Sequence, residues 1–360
     1  MKRGEPAPWF KARAIGGAPD YAFHTTAGRY VLLLFFGSAA GPAARAALAQ
    51  AREHAAVFDD VTACFFGIAH DPADEAAGLL QPSIPGIRFL ADFEGAIAAQ
   101  FGLTQPSDGG NTMLQPLWLL LDPMLRAVAG FPLAEGNAAI DALRHAIAAR
   151  PMAQPNWAPV VMIPDVLDAD LCDRLIGEYE TNGGNPSGFM REVDGKTVLM
   201  NDPEHKQRRD HLIEDTGLRA ELMARVATAI VPIVRRSFQF EATRMERYLV
   251  GCYSAGEGHF RPHRDNTTKG TAHRRFAVTV NLNTGDYEGG ALRFPEFGDR
   301  AYVAPRGAAI VFSCSLLHEA TPVTSGRRFA FLPFLYDDAA ARQREANNQF
   351  LAADIAPYKG

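Results

Sequence analysis

The amino-acid sequence predicts two domains, an α/β layer structure followed by a β-rich domain with supporting helices. Three observations lead to this fold class. The chain has 360 residues, more than a single domain usually contains. Residues 1–150 alternate continuous apolar runs with alanine-rich stretches of helical spacing. From Met245 onward the pattern changes to many short strands separated by Gly and Pro turns.

The apolar runs of the first domain are typical of strands buried on both faces. Tyr30–Phe36 and Val61–Ile68 are continuous apolar runs, and Leu117–Asp122 begins a third strand that ends at an Asp-Pro turn. Val128–Phe131 is predicted to be the hairpin partner of that third strand. Helical spacing is found in three stretches: Pro42–Ala55, Asp92–Phe101 and Asn137–Ala149. We therefore expect a sheet covered by helices on both faces.

The boundary between the domains is predicted at residues 151–157, which carry two prolines among polar residues and are typical of a linker. The chain is thereby divided into a first domain of residues 1–150, this linker, a second domain of residues 158–337 and a C-terminal helical tail of residues 338–360.

The second domain is predicted to begin with two helices and to continue as strands. Asp168 is a candidate N-cap for the first helix, and the second spans Leu218–Phe238. Arg275–Asn283 alternates apolar residues with small or polar ones. Four further strands follow: Gly289–Pro295, Arg300–Val303, Ala308–Ser313 and Arg328–Tyr336. Many short strands after two helices predict an α+β domain with a jelly-roll double sheet.

Composition and charge argue against several classes of partner. The formal net charge is -5 and the pI is about 6.1, without the basic excess of nucleic-acid-binding domains. The longest strongly apolar run, Tyr30–Phe36, is shorter than the roughly 20 residues of a membrane helix, and the first residues lack the pattern of a signal peptide. The four cysteines form no CxxC pair. We therefore expect a cytoplasmic protein with no nucleic-acid or membrane partner.

Local clusters of basic residues do occur, and we interpret them as solvated faces or local ion pairs. They lie at Lys206–Arg209, Arg235–Arg236 and Arg274–Arg275. His205 and His211, which flank the first cluster, are likewise predicted to be solvated.

The residues with the clearest chemical signal are His263, Asp265 and His318. His263 and Asp265 are two residues apart, so an extended strand directs both side chains to one face. His318 follows after several predicted strands, enough chain for the double sheet to return beside the first pair. Two histidines and one carboxylate are the ligand set of a non-haem Fe(II) site with open coordination positions. These three residues are therefore predicted to bind iron and to be catalytic.

The sequence also contains a kinase-like motif and two further histidines that compete with this interpretation. His-Arg-Asp also opens a kinase catalytic loop, but Gly270 stands where that loop needs asparagine. His259 and His273 are rival histidines, and His273 lies in a segment predicted to be a mobile loop.

Downstream, Arg327 and Arg328 enter an apolar strand, where a buried guanidinium would need an anionic partner. Strand alternation alone leaves open which of the two arginines takes that role.

Five segments of the second domain resemble one family in order and spacing. They are CYSAGEGHFRPHRDN at 252–266, VNLN at 280–283, GGALRFPE at 289–296, VAPRGAAIVF at 303–312 and HEATPVTSGRR at 318–328. Together they resemble the prolyl 4-hydroxylase branch of the Fe(II)/2-oxoglutarate dioxygenases, whose core is a double-stranded β-helix.

The resemblance implies a site and an activity. It implies that His263, Asp265 and His318 hold iron, that Arg328 and Tyr253 hold 2-oxoglutarate, and that ascorbate serves as reductant. The implied reaction hydroxylates a C–H bond, with a prolyl or other residue of a protein or peptide as the favoured substrate, while 2-oxoglutarate is decarboxylated to succinate. A small-molecule substrate is an alternative.

The first domain resembles the peroxiredoxin branch of the thioredoxin fold. The matching segments are Gly4–Phe10, Gly28–Arg45 and Trp118–Pro123 together with Val128–Phe131. The loop at Gly37–Arg45, where the family has its reactive cysteine, contains none. Because a thiolate is the nucleophile in peroxidase chemistry, the domain is predicted to be redox-inactive and to bind, dock or stabilise.

Two alternatives for the whole protein follow from this domain. One is a non-catalytic binding or scaffold protein built on the cysteine-free module. The other is a thiol peroxidase that uses Cys64, although Cys64 lies inside an apolar strand, where inert burial is the usual outcome. Thioredoxin-like domains often pair, so a homodimer is a further expectation from the resemblance.

Overall fold

The computed structural model describes residues 1–106, 112–149 and 157–359. The chain forms two compact units, one of Met1–Asn156 with Pro295–Gly298 and one of Trp157–Phe294 with Asp299–Gly360. Residues 151–156 of the predicted linker lie outside the described residues. None of the helices in the described ranges is long and apolar enough to cross a membrane.

The first unit is built on a five-stranded mixed sheet. Its strands lie in the order Ile87–Ala91, Ala63–Ala69, Tyr30–Phe35, Leu117–Leu121 and Ala127–Pro132. The first three strands run parallel, Leu117–Leu121 is antiparallel to its neighbour Tyr30–Phe35, and Ala127–Pro132 is antiparallel to Leu117–Leu121. Two short antiparallel pairs accompany the sheet: Lys11–Ala12 with Tyr21–Ala22, and Thr104–Pro106 with Thr112–Leu114.

Helices cover this sheet, as the apolar strands require. They are Pro42–Glu53, Pro72–Ala76, Ala96–Gln100 and Gly136–Ala148, with short 3-10 turns at Phe23–Thr26, Ala55–Val57 and Leu133–Glu135. The core between helices and sheet includes Leu32, Phe65, Trp118 and Ile140, each fully buried. Strands and helices alternate along the chain and are followed by a hairpin and a last helix, which agrees with the predicted thioredoxin-like fold.

The second unit contains a large, mainly antiparallel sheet. Its main path is Val160–Ile163, Ala309–Ser313, Phe276–Asn281, Val323–Phe331, Leu249–Ser254, Arg209–Leu212 and Asn185–Pro186. Three further strands pair beside this path: Arg244–Glu246, Tyr287–Gly289 and Phe334–Tyr336.

A smaller sheet of five strands belongs to the same unit. Its order is Lys206–Gln207, His259–His263, His318–Ala320, Leu292–Arg293 and Ala301–Tyr302. A separate hairpin is formed by Phe189–Val193 and Lys196–Met200.

Helices pack on the large sheet of the second unit. Helix Ala169–Asn182 begins where it was predicted, because the Asp168 carboxylate accepts a hydrogen bond from the Leu171 amide at 2.9 Å. The predicted second helix is divided into Thr216–Arg225, a wider π-type turn at Val226–Ile230, and Val231–Phe238. Pro232 explains the wider turn, because its ring would clash with the carbonyl four residues earlier in a regular α-helix. The tail contains helix Asp338–Ala346 and a 3-10 turn at Asn347–Phe350.

The strand Phe276–Asn281 shows how this unit creates an internal site. All six of its residues are buried. Val278 and Val280 face the core under the helices. Thr279, on the alternate face, lines a cavity that also contains His263 and His318 of the smaller sheet. The polar alternation seen in the sequence therefore marks a cavity wall between the two sheets.

Candidate metal centre

The three predicted ligands meet at one end of the smaller sheet. His263 is the last residue of strand His259–His263 and pairs directly with His318, the first residue of strand His318–Ala320. Asp265 follows two residues later, and its amide donates to the Cys314 carbonyl at 3.0 Å. This register brings together residues that are 55 positions apart in the chain.

The distances within the cluster suit a single metal ion. His263 Nε2 lies 3.6 Å from Asp265 Oδ1, and His318 Nε2 lies 3.3 Å from Asp265 Oδ2. One ligand atom from each of the three residues lies within 4.8 Å of the others. Donors about 2.1 Å from one ion are at most about 4.2 Å apart, so both measured separations can be bridged.

Backbone hydrogen bonds orient both imidazoles. His263 Nδ1 lies 2.8 Å from the Arg261 carbonyl, and His318 Nδ1 lies 3.0 Å from the Leu316 carbonyl. Because a carbonyl only accepts, each Nδ1 carries the proton and each Nε2 keeps its lone pair toward Asp265. This second hydrogen bond is the usual way in which a metal-binding histidine is held.

The ionisation states also fit metal binding. Burial, together with the neighbouring His318, lowers the pKa of His263 to about 4, so its ring is neutral at neutral pH. Burial alone would raise the pKa of the Asp265 carboxyl, but His318 and His263 outweigh it and the pKa falls below its ordinary value. A neutral imidazole and a carboxylate are the forms that bind metal.

The cluster opens into a cavity between the two sheets. Phe260 joins His263 and His318 on the smaller sheet, and the larger sheet contributes Tyr253 and Arg328. Tyr253 and Arg328 are paired in register on neighbouring strands, so both side chains lie on the same face.

Arg328 is a buried cation with an unused donor. Its side chain is buried, and Nη2 donates to Asn281 Oδ1 at 3.0 Å, while Nε has no hydrogen-bond partner among the residues that the structure describes. Asn281 is fixed in turn, because its Nδ2 donates to the Ala304 carbonyl at 3.0 Å. A buried guanidinium N–H without an acceptor is costly unless an anion enters the cavity, so this side chain fits a cosubstrate carboxylate.

The neighbouring side chains separate the roles that the sequence left open. Arg327 lies on the opposite face, half-exposed, and pairs with Glu180 at 2.7 Å. The Tyr253 ring lies 5.2 Å from the Arg328 guanidinium. Its hydroxyl accepts a hydrogen bond from Arg208 Nη1 at 3.2 Å. Since a guanidinium only donates, the hydroxyl proton of Tyr253 remains available to an acceptor in the cavity.

The Lys206–Arg209 cluster was expected to form a solvated face or local ion pairs, and the second alternative holds for Arg208, which pairs with Asp210 at 2.6 Å, whereas the expected solvation fails for Lys206 and Arg208. Lys206 and Arg208 are 5% and 9% exposed. The chain crosses here from the smaller sheet, at Lys206–Gln207, to the larger sheet, at Arg209–Leu212, so these side chains point between the sheets. Arg208, Asp210 and Arg247 form an ion-pair group beside the cavity that no local sequence pattern indicated.

The histidines flanking this cluster are not solvated either. The ring of His205 packs 4.5 Å from that of Phe189, and burial lowers the pKa of His205 to about 4. The His211 side chain is 13% exposed and lies 3.7 Å from a Glu178 carboxylate oxygen.

The two rival histidines have other partners. His273 was expected in a mobile loop, but it is 1% exposed and its Nε2 lies 3.1 Å from Glu246. The Glu246 carboxylate, together with neighbouring cations, holds this segment in place. His259 has both ring nitrogens within hydrogen-bond distance of backbone carbonyls, those of Glu257 and Glu204.

Comparisons with known proteins bear on this site. The model of the 2OG-Fe(II) oxygenase superfamily matches residues 248–336, the segment that contains all five predicted site residues. Members of this superfamily use Fe(II) and 2-oxoglutarate.

Relatives of known class are similar over part of the chain. A PKHD-type hydroxylase of Synechococcus sp. is 33% identical over 88 residues, which is 23% of this chain and 39% of that protein. A PKHD-type hydroxylase of Azoarcus sp. is 27% identical over 167 residues, 42% of this chain and 72% of that protein. The chain thus spans well under half the length of the cyanobacterial relative.

Solved structures are similar to each unit. A Pseudomonas putida prolyl-4-hydroxylase aligns with 49% of this chain and 92% of its own at a TM-score of 0.38 and 16% identity. Peroxidoxin BcpB from Mycobacterium tuberculosis aligns with 40% of this chain and 97% of its own at a TM-score of 0.35 and 22% identity. On the sequence match and the converging ligand set, residues 248–336 form a 2OG-Fe(II) oxygenase domain.

Proposed function

We propose that this protein is an Fe(II)- and 2-oxoglutarate-dependent dioxygenase that hydroxylates a C–H bond. The observation that carries the proposal is the convergence of His263, Asp265 and His318 in a cavity that also contains the unpaired Nε of Arg328. A metal-ligand set and a buried cation awaiting an anion are the two requirements of that chemistry.

The protein groups have separable tasks. Bound iron with 2-oxoglutarate supplies the power to insert one oxygen atom of dioxygen into a C–H bond while the cosubstrate becomes succinate and carbon dioxide. His263 and His318 offer neutral Nε2 donors, and Asp265 offers a carboxylate, which leaves the remaining coordination positions for cosubstrate and dioxygen. Asp265 in that position favours hydroxylation over halogenation, since halide needs the place of the carboxylate.

Arg328 and Tyr253 position the cosubstrate. The Arg328 guanidinium is held by Asn281 and presents its free Nε to the far carboxylate of 2-oxoglutarate. Tyr253 can donate its hydroxyl proton to the same carboxylate, because Arg208 occupies only its lone pair. Both side chains are buried, which excludes water and strengthens the ion pair.

The substrate class and the domain roles belong to this proposal. The favoured substrate is a prolyl or other residue of a protein or peptide, with ascorbate as the reductant that restores Fe(II); both rest on similarity to hydroxylases. We assign the catalytic domain to residues 158–337 with a double-stranded β-helix core, formed by the two facing sheets. The thioredoxin-like domain has no reactive thiol and is assigned a binding or docking role.

The peroxidase alternative has little support. Cys64 is fully buried, and burial raises the pKa of its thiol to about 12. A neutral, enclosed thiol is a poor nucleophile toward peroxide.

The test is substrate trapping followed by turnover. The Asp265→Ala protein is used to capture binding partners from native lysate, and the captured material is treated aerobically with wild-type protein, Fe(II), 2-oxoglutarate and ascorbate. We expect succinate to form and one captured species to gain the mass of one oxygen atom. Succinate formation that is equal with wild type and with Asp265→Ala would contradict the proposal.

A further inference from the structure

A second cavity lies beside the candidate metal centre. It measures about 220 Å³, and its walls include Ser187, Asn201, Lys206, Arg208 and Arg209. Arg208 also lines the metal cavity, so one side chain separates the two spaces. A water molecule occupies roughly 30 Å³, which means that the second cavity has room for a small polar group rather than a single solvent molecule.

Lys206 is the unusual residue of this cavity, because it is a buried amine without an anionic partner, and burial together with Arg208 lowers its pKa well below the ordinary value of lysine. Its ammonium donates to Ser187 Oγ at 2.7 Å and to the Gly188 carbonyl at 2.7 Å, and both acceptors are neutral. Within the part of the chain that the structure describes, no carboxylate forms an ion pair with it. A buried charge ordinarily needs an opposite charge close by.

Among the described residues, the neighbouring ion-pair group reaches Lys206 only through Ser187, whose hydroxyl donates to Asp210 Oδ2 at 2.5 Å. Arg208 Nε lies 2.6 Å from Asp210 Oδ1, and Arg247 Nη2 lies 3.2 Å from Asp210 Oδ2. One carboxylate therefore serves two guanidiniums. With Lys206 in its protonated form the count is three positive charges and one negative, a net charge of +2, so an entering anion would favour that form.

Two other acids line the cavity but are poor partners. Asp202 and Glu257 are both exposed, so solvent screens their charges. One carboxylate oxygen of Asp202 already accepts the Glu204 amide at 3.0 Å.

The second cavity is close to the reacting centre. Lys206 Nζ lies 4.8 Å from the centroid of the Phe260 ring. The Phe260 ring stacks on His263 at a centroid distance of 3.4 Å and an interplanar angle of 17°. Lys206 and Phe260 are also paired in register on adjacent strands. The ammonium is thus separated from a candidate iron ligand by a single aromatic ring.

We propose that this cavity binds a carboxylate of the substrate, with Lys206 as its counter-ion. The hydroxylated carbon and an acidic group would then belong to one molecule, either a peptide with an acidic side chain or a small free amino acid. The inference rests on the proposed function and deepens it, because it gives that enzyme's substrate a chemical class.

Calorimetric titration tests the proposal on the full chain, loaded anaerobically with Fe(II) and saturating 2-oxoglutarate. The probes are N-acetyl-glutamic acid α-amide, its uncharged isostere N-acetyl-glutamine α-amide, and free glutamate. We expect at least one acid to bind about tenfold or more tightly than the glutamine probe. Tighter binding of the blocked acid points to a peptide, and tighter binding of free glutamate points to a small acid. Equal affinities for acid and amide, or no binding of either acid, would overturn the proposal.

Variants locate the effect. Lys206→Met should abolish the preference for acid over amide, Lys206→Arg should keep part of it, and Lys11→Met, which removes an exposed positive charge in the first unit, should leave it unchanged. A preference that survives in Lys206→Met assigns the acid to another site and refutes the proposal. If Lys206→Met does not fold, as judged by its thermal midpoint, the wild-type comparison of acid with amide still decides. A wild-type protein that shows no visible Fe(II)–2-oxoglutarate band refutes the proposed function itself.

Discussion

Both units bury charged side chains, but they do so in different ways. In the first unit, the buried carboxylate of Asp92 accepts the Ile97 and Ala98 amides at the start of a helix, and the buried Asp74 accepts the Ala39 amide. These carboxylates complete the backbone of the domain. In the second unit, Arg328 and Lys206 are buried basic side chains that lack an anionic partner and face cavities.

The comparison teaches that burial of a charge is not by itself a sign of function. What distinguishes Asp92 and Asp74 from Arg328 and Lys206 is whether the protein itself provides the partner of opposite or complementary character. A carboxylate that accepts backbone amides is satisfied in the free protein, whereas a cation beside a cavity is satisfied only when a ligand arrives. Under the proposed function, the first unit acts as a scaffold and the second as the enzyme.

The largest expected effect is on catalysis. Asp265→Ala removes the only carboxylate of the ligand set and should reduce Fe(II)-dependent succinate formation by at least about 1,000-fold. Asp92→Asn, a change in a buried carboxylate of the first unit, should alter stability and leave the rate per folded molecule within about twofold. Equal losses of rate in the two variants would remove the distinction between the units.

A large effect on stability is expected at Glu246. This buried carboxylate pairs with His273 at 3.1 Å, Arg274 at 2.7 Å and Arg344 at 2.7 Å. Glu246→Ala leaves two partly buried arginines and the buried His273 without their anion and should lower the free energy of unfolding by about 3–5 kcal/mol. Glu241→Ala, which breaks an exposed pair with Arg235, should cost less than about 1 kcal/mol. Urea unfolding measures the free energy of unfolding of both variants. Similar decreases in the two would mean that burial does not determine how much an ion pair stabilises this protein.

The next effect concerns cosubstrate binding. Arg328→Met should raise the KM for 2-oxoglutarate by roughly 10–100-fold, since a charge-assisted hydrogen bond is worth about 1.5–3 kcal/mol. Arg327→Met is the matched control, because Arg327 is the adjacent arginine on the exposed face. Its KM should stay within about twofold of wild type. A rise in KM with Arg327→Met and none with Arg328→Met would exchange the two roles.

A pH effect of intermediate size is expected in the metal-free protein. Burial lowers the pKa of His263 and of His205 to about 4, compared with about 6.5 in the unfolded chain. Between these values the unfolded state binds more protons than the folded state. The contribution of the two neutral histidines to the free energy of unfolding is therefore complete above pH 6.5 and decreases as the pH falls toward 4.

Urea unfolding in a chelator at pH 7 and pH 5 measures this slope. His205→Phe keeps an aromatic ring beside Phe189 and Phe260 but cannot protonate, so its stability should depend less on pH than that of wild type. An unchanged slope in the variant would show that His205 does not titrate as its burial implies.

The smallest effect is expected at Cys64. Its thiol is enclosed and its pKa is raised to about 12 by burial, so no thiolate is present at neutral pH. Cys64→Ser should leave succinate formation unchanged, and neither form should consume hydrogen peroxide. Peroxide turnover that disappears in Cys64→Ser would make the first unit an enzyme as well.

The sequence indicated the pairing of His263 with Asp265 and the main strands of the first unit, because both depend on local patterns. Alternation along a strand directs His263 and Asp265 to one face, and continuous apolar runs mark the strands around Leu32 and Phe65. Alternation could also separate Arg327 from Arg328 onto opposite faces, although it could not say which face was buried.

The charged wall of the site was beyond such patterns. Lys206 and Arg208 stand in a polar stretch that resembles a solvated loop. They are buried because the chain there passes from one sheet to the other, and that crossing depends on pairing with strands about 40–50 residues away in sequence, at Leu249–Ser254 and His259–His263. The wider turn at Val226–Ile230 could have been predicted, because Pro232 lies inside the predicted helix Leu218–Phe238 and a proline interrupts a regular helix.

The central claim is tested most directly by anaerobic addition of Fe(II) and 2-oxoglutarate to the full chain, with visible absorption as the measurement. The account predicts a charge-transfer band that needs both additions, saturates at one iron per chain, and is absent in His263→Ala. A wild-type protein without the band, or a His263→Ala protein with an undiminished one, would contradict it.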